Sequence, residues 1–266
     1  MIKRDILRLE KAKEELKVVN MGGTAIGTGM NADIQYFNKI VPNISKISNI
    51  ELKQAVDLVD ATQNLDGFVV VSGVIKACAV NLSKIANDLR LMSSGPRTGF
   101  GEINLPSKQN GSSMMPGKVN PVIPEVISQI AFNIIGNDIT ITMAAEAGQL
   151  ELNAFEPVIF YKLFQSIETL TNGVNTFVIN CVSGITANRE ICKELVENSV
   201  GIITAICPHI GYKKAAEIAK TALKTRKSVR ELILKDGILS ENELNDILDI
   251  ELMTKPGILA KELMVG

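Results

Sequence analysis

Long apolar stretches with helical spacing dominate this 266-residue chain and limit it to a helical fold. The longest runs from about Gly67 to Met92 and is apolar on most of its sides. A helix of that kind belongs in the middle of a bundle or an oligomer, because a surface helix keeps one polar face. Apolar residues recur with the same period in residues 2–19 and again after Pro124, and no convincing strand alternation interrupts them. The sequence therefore predicts an all-α protein with long helices.

The segment before the long apolar helix contains a glycine-rich stretch, MGGTAIGTGMN in residues 21–31. It lacks the preceding strand and the glycine spacing of a dinucleotide-binding loop, so that function is excluded. The irregular region is expected to continue through Pro42. Ser48 and Glu51 then have the spacing of a capping box, which predicts a helix that begins at Ser48.

The character of the sequence changes near residue 188. Before that point the predicted helices are long and apolar, and after it they are shorter and more charged. One of the short helices begins with the capping-box spacing of Ser240 and Glu243. We therefore expect a partial central helical bundle in residues 1–187 and a small C-terminal helical domain in residues 188–266.

Charge and composition exclude several classes of partner. The 28 Lys and Arg residues nearly balance the 29 Asp and Glu residues, and aromatic residues make up only 4% of the chain. Neither a basic surface nor a stacking platform for nucleic acid is therefore expected. The first residues are charged and lack the apolar core of a signal peptide. The stretch Phe68–Leu82 is interrupted by Lys76 and is too short to span a membrane. We expect a cytoplasmic protein without nucleic-acid or membrane partners.

The cysteine and histidine residues give no sign of a metal site. None of the cysteines belongs to a CxxC pair, and with a single histidine the chain has no Cys/His cluster for zinc. We expect reduced and mostly buried thiols, and a structural role for the histidine. These residues are Cys78, Cys181, Cys192, Cys207 and His209.

Reactive side chains are concentrated in the loop of residues 111–121, GSSMMPGKVNP. The loop lies in the longest stretch without helical period, and such loops often carry function. It offers two hydroxyl groups, an ammonium group and an amide, next to glycines that allow close approach of the backbone. A phosphate-binding P-loop is excluded, because Val119 follows the lysine where a magnesium-binding hydroxyl is needed. Composition alone leaves a plain surface loop open.

This loop resembles the GSSxMPxKxNP signature of the fumarase/aspartase superfamily. MGGTAIGTGMN, NDLRLMSSGPRTGFGEINLP and the C-terminal helical module resemble the same superfamily. The sequence after the loop is similar to the aspartate ammonia-lyase branch of the superfamily, with class II fumarases as the alternative. The segments that carry this similarity are NPVIPEVISQIAFNIIGND and TMAAEAGQLELNAFEPVIF. The resemblance implies a long-helix bundle of the fumarase/aspartase type, N-terminally incomplete here, and a homotetramer.

The resemblance also implies a reaction, the anti elimination of ammonia from L-aspartate to give fumarate, with no cofactor and no metal. By position in the signature, Ser112 would be the general base, and Ser113 would shape the loop. Lys118 and Asn120 would bind a substrate carboxylate, and Glu125 would orient a histidine from another segment. Taken alone, Glu125 could equally be a first-turn carboxylate that stabilises the helix dipole.

Two site motifs of the superfamily are absent from the 266 residues, a Ser-Ser-Asn motif and a Thr-His pair. Met1 corresponds to a point inside a long bundle helix of the family. We therefore expect the C-terminal part of such an enzyme, with little activity alone and a separate N-terminal chain as a candidate partner. A non-catalytic helical scaffold stays open as the alternative.

Overall fold

The computed structural model describes residues 1–109 and 118–264. Helices predominate in these residues, so the predicted all-α fold is confirmed. The chain divides into two compact units, Met1–Thr186 and Ala187–Gly266. The domain boundary predicted from the sequence lies one residue later.

The elements of each unit follow in chain order. The helices of the first unit are α1 (Ile2–Ala12), α2 (Ile34–Ser48), α3 (Leu58–Gln63), α4 (Asp66–Met92), α5 (Val122–Glu146) and α6 (Glu156–Asn180). Those of the second are α7 (Arg189–Glu197), α8 (Ile203–Ile210), α9 (Tyr212–Thr225), α10 (Val229–Lys235) and α11 (Glu241–Ile247). Short 3-10 turns cover Lys13–Leu16, Val182–Gly184, Val200–Ile202, Leu252–Thr254 and Lys261–Leu263.

Within residues 1–109 and 118–264, the strands form two pairs of two residues each. The first pair, β1 (Val18–Val19) and β2 (Lys53–Gln54), is parallel, with Val18 opposite Lys53. The second pair consists of β3 (Ile103–Asn104) and β4 (Thr186–Ala187). In that pair the Asn104 amide Nδ2 donates a hydrogen bond to Thr186 Oγ1 at 3.2 Å.

Helices α4, α5 and α6 form the core of the first unit, with α5 packed against both of the others. Ile75 on α4, Ile134 on α5 and Ile159 on α6 belong to one buried apolar cluster. Helix α6 comes close to α5 at Gly173, where a Cβ atom would lie 2.6 Å from Ile130 Cδ1. A larger residue at this position would require the Ile130 side chain to move, so glycine allows this close approach without a rearrangement.

A buried carboxylate joins α4 to α5 in the middle of the bundle. Asp138 is only 5% exposed, and its carboxylate accepts a 2.7 Å hydrogen bond from Ser72 Oγ. The Lys76 ammonium lies 2.5 Å from the other carboxylate oxygen. A buried charge is tolerated only with such partners, so the pair fixes α4 and α5 in one register.

The length of α4 differs from the sequence-based expectation. It has 27 residues and a mean hydropathy of 1.6 in its most apolar window, so by length and composition alone it could cross a membrane. The stretch Phe68–Leu82, which alone is too short to span a membrane, covers little more than half of this helix. However, α4 packs along α5 and carries the Lys76–Asp138 pair, as core helices do. The apolar window of α4 is 33% buried in the first unit, so core packing accounts for part of its apolar character.

The region before α4 corrects two predictions. Pro42 lies inside α2 rather than in an irregular segment, and Ser48 ends that helix instead of beginning one. Asp33 Oδ1 caps the start of α2 by accepting a hydrogen bond from Gln35 N at 2.7 Å. Asn49 follows Ser48 in the left-handed conformation (φ 54°), which is a common way to end a helix. No helix therefore starts at the predicted Ser48–Glu51 box.

The second unit has its own apolar core, which includes Ile206, Ile233 and Leu244. Its capping box is confirmed at the start of α11, where Ser240 and Glu243 bond each other's backbone. The Glu243 carboxylate accepts hydrogen bonds from the Ser240 N–H and from the Ser240 hydroxyl, both at 2.7 Å, and these bonds lower the pKa of the Glu243 carboxyl. His209 is buried here, and its Nε2 lies 2.9 Å from the Leu259 carbonyl oxygen. That contact is what a structural role for the histidine predicts.

Candidate active site

Only some of the predicted site residues lie in the described part of the chain. Ser112, the predicted base, and Ser113 lie outside the described residues. Lys118 is exposed, Asn120 is half-buried, and Glu125 lies in the first turn of α5. The structure therefore places the predicted carboxylate-binding pair immediately before the helix that carries Glu125.

The start of α5 positions these side chains. Pro121 is the last residue before the helix, and its carbonyl accepts a 3.1 Å hydrogen bond from the Glu125 backbone N–H. The Asn120 carbonyl accepts a 2.9 Å bond from the Val122 N–H, which fixes the backbone just before the helix. The N-terminus of a long helix carries partial positive charge. Together with the Lys118 ammonium, it makes this end of α5 favourable for a carboxylate.

Glu125 has a partner that the sequence-based prediction missed. Arg90 Nη2, in the last turn of α4, lies 3.5 Å from Glu125 Oε1, and the side chains are 42% and 39% exposed. Arg90 Nη1 also lies 3.4 Å from Asn87 Oδ1. An ion pair this exposed contributes little stability. It does hold the Glu125 carboxylate on the α4 side, and it shows that α4 ends beside the start of α5.

The histidine predicted beside Glu125 comes from no described residue of the first unit. The one histidine of the sequence, His209, belongs to the second unit. The orienting role of Glu125 toward a histidine therefore stays a prediction. In the sequence, Arg90 is only a cation near the end of a predicted helix. Such a cation usually interacts with the helix dipole and has no further role.

A small apolar cluster supports the ends of α4, α5 and α6 at this end of the bundle. It includes Ala86, Ile127, Phe177 and Cys181. Burial raises the pKa of the Cys181 thiol, and it does the same for Cys78. Neutral thiols are poor nucleophiles, so these two cysteines contribute to packing rather than to chemistry.

The site is open in the described part of the chain. Lys118 is exposed and Glu125 is more than one-third exposed, so neither side chain is sequestered from water. A groove of about 780 Å³ in the first unit is lined by α2 and residues 49–54, and by none of the predicted site residues. Within residues 1–109 and 118–264, no group of three or more His, Cys, Asp or Glu side chains could hold a metal ion. In the described residues the start of α5 is therefore open to solvent.

Comparison with protein families gives two matches. Residues 1–136 match a family described as Lyase, and residues 202–255 match one described as Fumarase C C-terminus. The chain is 54% identical over 264 residues to the aspartate ammonia-lyase of Bacillus subtilis (strain 168). The matched region covers 99% of this chain and 56% of that protein. The chain is 46% identical over 261 residues to the Escherichia coli (strain K12) enzyme of the same name, covering 98% and 55%. The chain thus spans about half the length of these relatives.

Solved structures show the same fold. The cobalt-bound fumarate lyase/delta crystallin of Brucella melitensis superposes with a TM-score of 0.92 at 49% identity, over 96% of this chain and 55% of that one. The class II fumarase of Schistosoma mansoni superposes with a TM-score of 0.81 at 31% identity, over 96% and 58%. Both similarities extend over nearly all of the chain, so they include most of each unit.

Proposed function

The chain belongs to this lyase family, and from that premise we propose that it forms the loop-bearing part of an aspartate ammonia-lyase. The reaction would be the reversible anti elimination of ammonia from L-aspartate to give fumarate. The observation that carries the proposal is the 54% identity to the Bacillus subtilis enzyme over 99% of this chain. The class II fumarase at 31% identity is a more distant relative, which favours ammonia over water as the leaving group.

The difficult step is removal of a weakly acidic proton from the carbon beside a carboxylate. In our proposal Ser112 acts as an alkoxide and takes this proton, and the electron pair of the broken C–H bond moves into the carboxylate. The resulting aci-carboxylate carries two negative charges on one group. The electrons then return to form the carbon–carbon double bond, while ammonia leaves with the electron pair of the C–N bond. A serine can be such a base only if nearby donors stabilise its alkoxide.

Stabilisation of the developing negative charge is assigned to the start of α5. The Lys118 ammonium and the Asn120 amide would hold a substrate carboxylate, next to the partial positive charge of the helix N-terminus. Glu125 would orient a histidine from another segment, and Arg90 would hold the Glu125 carboxylate, as their 3.5 Å contact supports. No cofactor takes part in these steps.

The open site supports a proposal about assembly. Large apolar side chains are exposed along the first unit, among them Phe132 and Met143 on α5 and Phe164 and Ile179 on α6. Exposed apolar surface of this kind is typical of association faces. We propose a cytoplasmic homo-oligomer, a tetramer as in the family, whose other copies or a separate N-terminal chain complete each site. Because the 266 residues include no Thr-His pair, the chain alone should turn over very slowly.

Substrate preference tests the proposed activity. For this test the chain is fused to the N-terminal portion of the Bacillus subtilis aspartate ammonia-lyase that precedes the matched region. The fusion is called the joined protein. We expect this protein to form fumarate from L-aspartate and not from L-malate, as followed by ultraviolet absorbance. Preference for L-malate would identify a fumarase instead. A folded and assembled protein that acts on neither substrate would favour the non-catalytic scaffold.

A further inference from the structure

A tight turn at the end of α4 presents an arginine that neither the fold nor the proposed mechanism explains. The turn covers residues 94–101 and is closed by hydrogen bonds to Ser94. Its hydroxyl accepts from the Phe100 N–H at 3.1 Å, and its carbonyl accepts from the Gly101 N–H at 2.8 Å. At the tip, the Thr98 N–H donates to the Pro96 carbonyl at 2.8 Å. That bond makes Arg97 the central residue of a γ-turn.

Arg97 adopts a backbone conformation that side chains disfavour. Its φ is 63°, and a γ-turn with positive φ at its centre is rare and strained for a residue other than glycine. The surrounding turn is compact, because a Cβ atom on Gly99 would lie 2.4 Å from the Ser94 carbonyl carbon. Strained residues persist where the neighbouring structure holds them, and they are enriched at functional sites.

The guanidinium of Arg97 is available for a ligand. The residue is exposed, and within residues 1–109 and 118–264 no hydrogen bond or ion pair engages its side chain. By contrast, Arg90, seven residues earlier, is paired with Glu125. Packing and ion pairing therefore give no reason for a strained arginine at this position.

The turn lies at the same end of the bundle as the predicted carboxylate-binding residues. Its base is tied to α4 by a 2.9 Å hydrogen bond from the Glu102 N–H to the Met92 carbonyl. The Arg90–Glu125 pair places the last turn of α4 beside the first turn of α5. Lys118 and Asn120 immediately precede α5, so the turn and these two residues share one end of the first unit.

This end of the unit is rich in positive charge although the whole chain carries −1. From residue 90 to residue 121 there are four cationic side chains, Arg90, Arg97, Lys108 and Lys118, and one acidic one, Glu102. Since Arg90 is paired with Glu125, the remaining cations provide the positive field. Such a field attracts a doubly charged anion more strongly than a singly charged one, and salt screens it.

We propose that Arg97 is a specificity-determining residue of the same site. Its guanidinium recruits dicarboxylates to the end of the unit that carries Lys118 and Asn120, and it favours them over monocarboxylates. A guanidinium suits this task because its planar donors match a carboxylate. The inference rests on the proposed function for its biological meaning, because both L-aspartate and fumarate are dicarboxylates.

The test is a titration of the 266-residue chain, followed by amide NMR signals of Thr98 and Gly101. The probes are fumarate and crotonate, which share a four-carbon skeleton but carry two carboxylates and one. At low ionic strength we expect fumarate to bind the wild-type chain more tightly than crotonate. Arg97→Gln should weaken fumarate binding by about three- to tenfold and remove the preference, and added salt should do the same to the wild type.

Two further variants and a matched control separate charge from folding. Arg97→Lys keeps the charge and should retain most of the preference. Arg97→Gly suits the positive φ, so its loss of binding cannot come from a misfolded turn. Arg226 is another exposed arginine with a left-handed backbone (φ 57°), at the end of α9 in the second unit. Arg226→Gln removes the same charge elsewhere and should leave fumarate binding unchanged.

Several results would overturn the role of Arg97. These are fumarate binding in Arg97→Gln equal to that of the wild type, equal weakening by Arg226→Gln, and no preference for fumarate in the wild-type chain. The titration does not depend on turnover. If the joined protein forms no fumarate from L-aspartate, the proposed function fails while the titration still decides the role of Arg97.

Discussion

Replacing Ser112 by alanine is expected to lower the kcat for fumarate formation from L-aspartate by a factor of about 10² to 10⁴. The reason is that alanine has no group that can take the proton beside the substrate carboxylate. A contribution of this size is typical of a positioned general base. The measurement is steady-state turnover of the joined protein that contains the N-terminal portion of a relative.

The neighbouring serine provides the matched control for this prediction. Ser113→Ala removes the same hydroxyl one position later, and we assign Ser113 to the shape of the loop. Its kcat should fall much less than that of Ser112→Ala. Equal losses in the two variants would assign the effect to the loop as a whole, and a larger loss in Ser113→Ala would show that the base is the second serine.

Replacing Lys118 by methionine should lower kcat/KM for L-aspartate by about 30- to 1,000-fold, equivalent to about 2–4 kcal/mol. Methionine keeps much of the length of the side chain and removes the charge that would hold a substrate carboxylate. A loss confined to KM would indicate contact with the carboxylate that stays unchanged. A loss in kcat would indicate contact with the carboxylate that becomes the dianion, because only that interaction strengthens in the transition state.

Lys108→Met is the control for Lys118→Met. Lys108 is an exposed lysine in the same connection between α4 and α5, ten residues earlier. The Lys108→Met substitution removes the same charge and leaves the signature loop unchanged, so kcat/KM should change by no more than a few fold. Similar losses in both variants would mean that the net positive field, and not a contact made by Lys118, is responsible.

The long helices were predictable because their apolar residues repeat over many turns. Residues 66–92, 122–146 and 156–180 all form helices, as the periodic runs before and after the signature loop indicate. The short region before α4 was not predictable from the same signals. Ser48 and Glu51 have the spacing of a capping box, but Asn49 ends α2 there and Asp57 caps the next helix. Competing caps a few residues apart cannot be ranked without tertiary contacts.

The residues of the candidate site were also only partly predictable from the sequence. Lys118, Asn120 and Glu125 are recognisable because they belong to a fixed signature around the start of α5. Arg90 could not be assigned to Glu125 from the sequence, because they lie 35 residues apart and only the antiparallel packing of α4 and α5 brings them together. Arg97 was equally hidden, since the positive φ that sets it apart comes from the hydrogen bonds of its turn.

The most direct test of the central claim is fumarate formation from L-aspartate by the purified chain, alone and after mixing with the N-terminal portion of the Bacillus subtilis aspartate ammonia-lyase. Circular dichroism of each sample checks that the chain is folded. We predict turnover only in the mixture, with equal amounts of fumarate and ammonia. Robust turnover by the chain alone would contradict the claim that other segments complete the site. Assembly of the two parts into one folded complex that shows no turnover would contradict the ammonia-lyase activity itself.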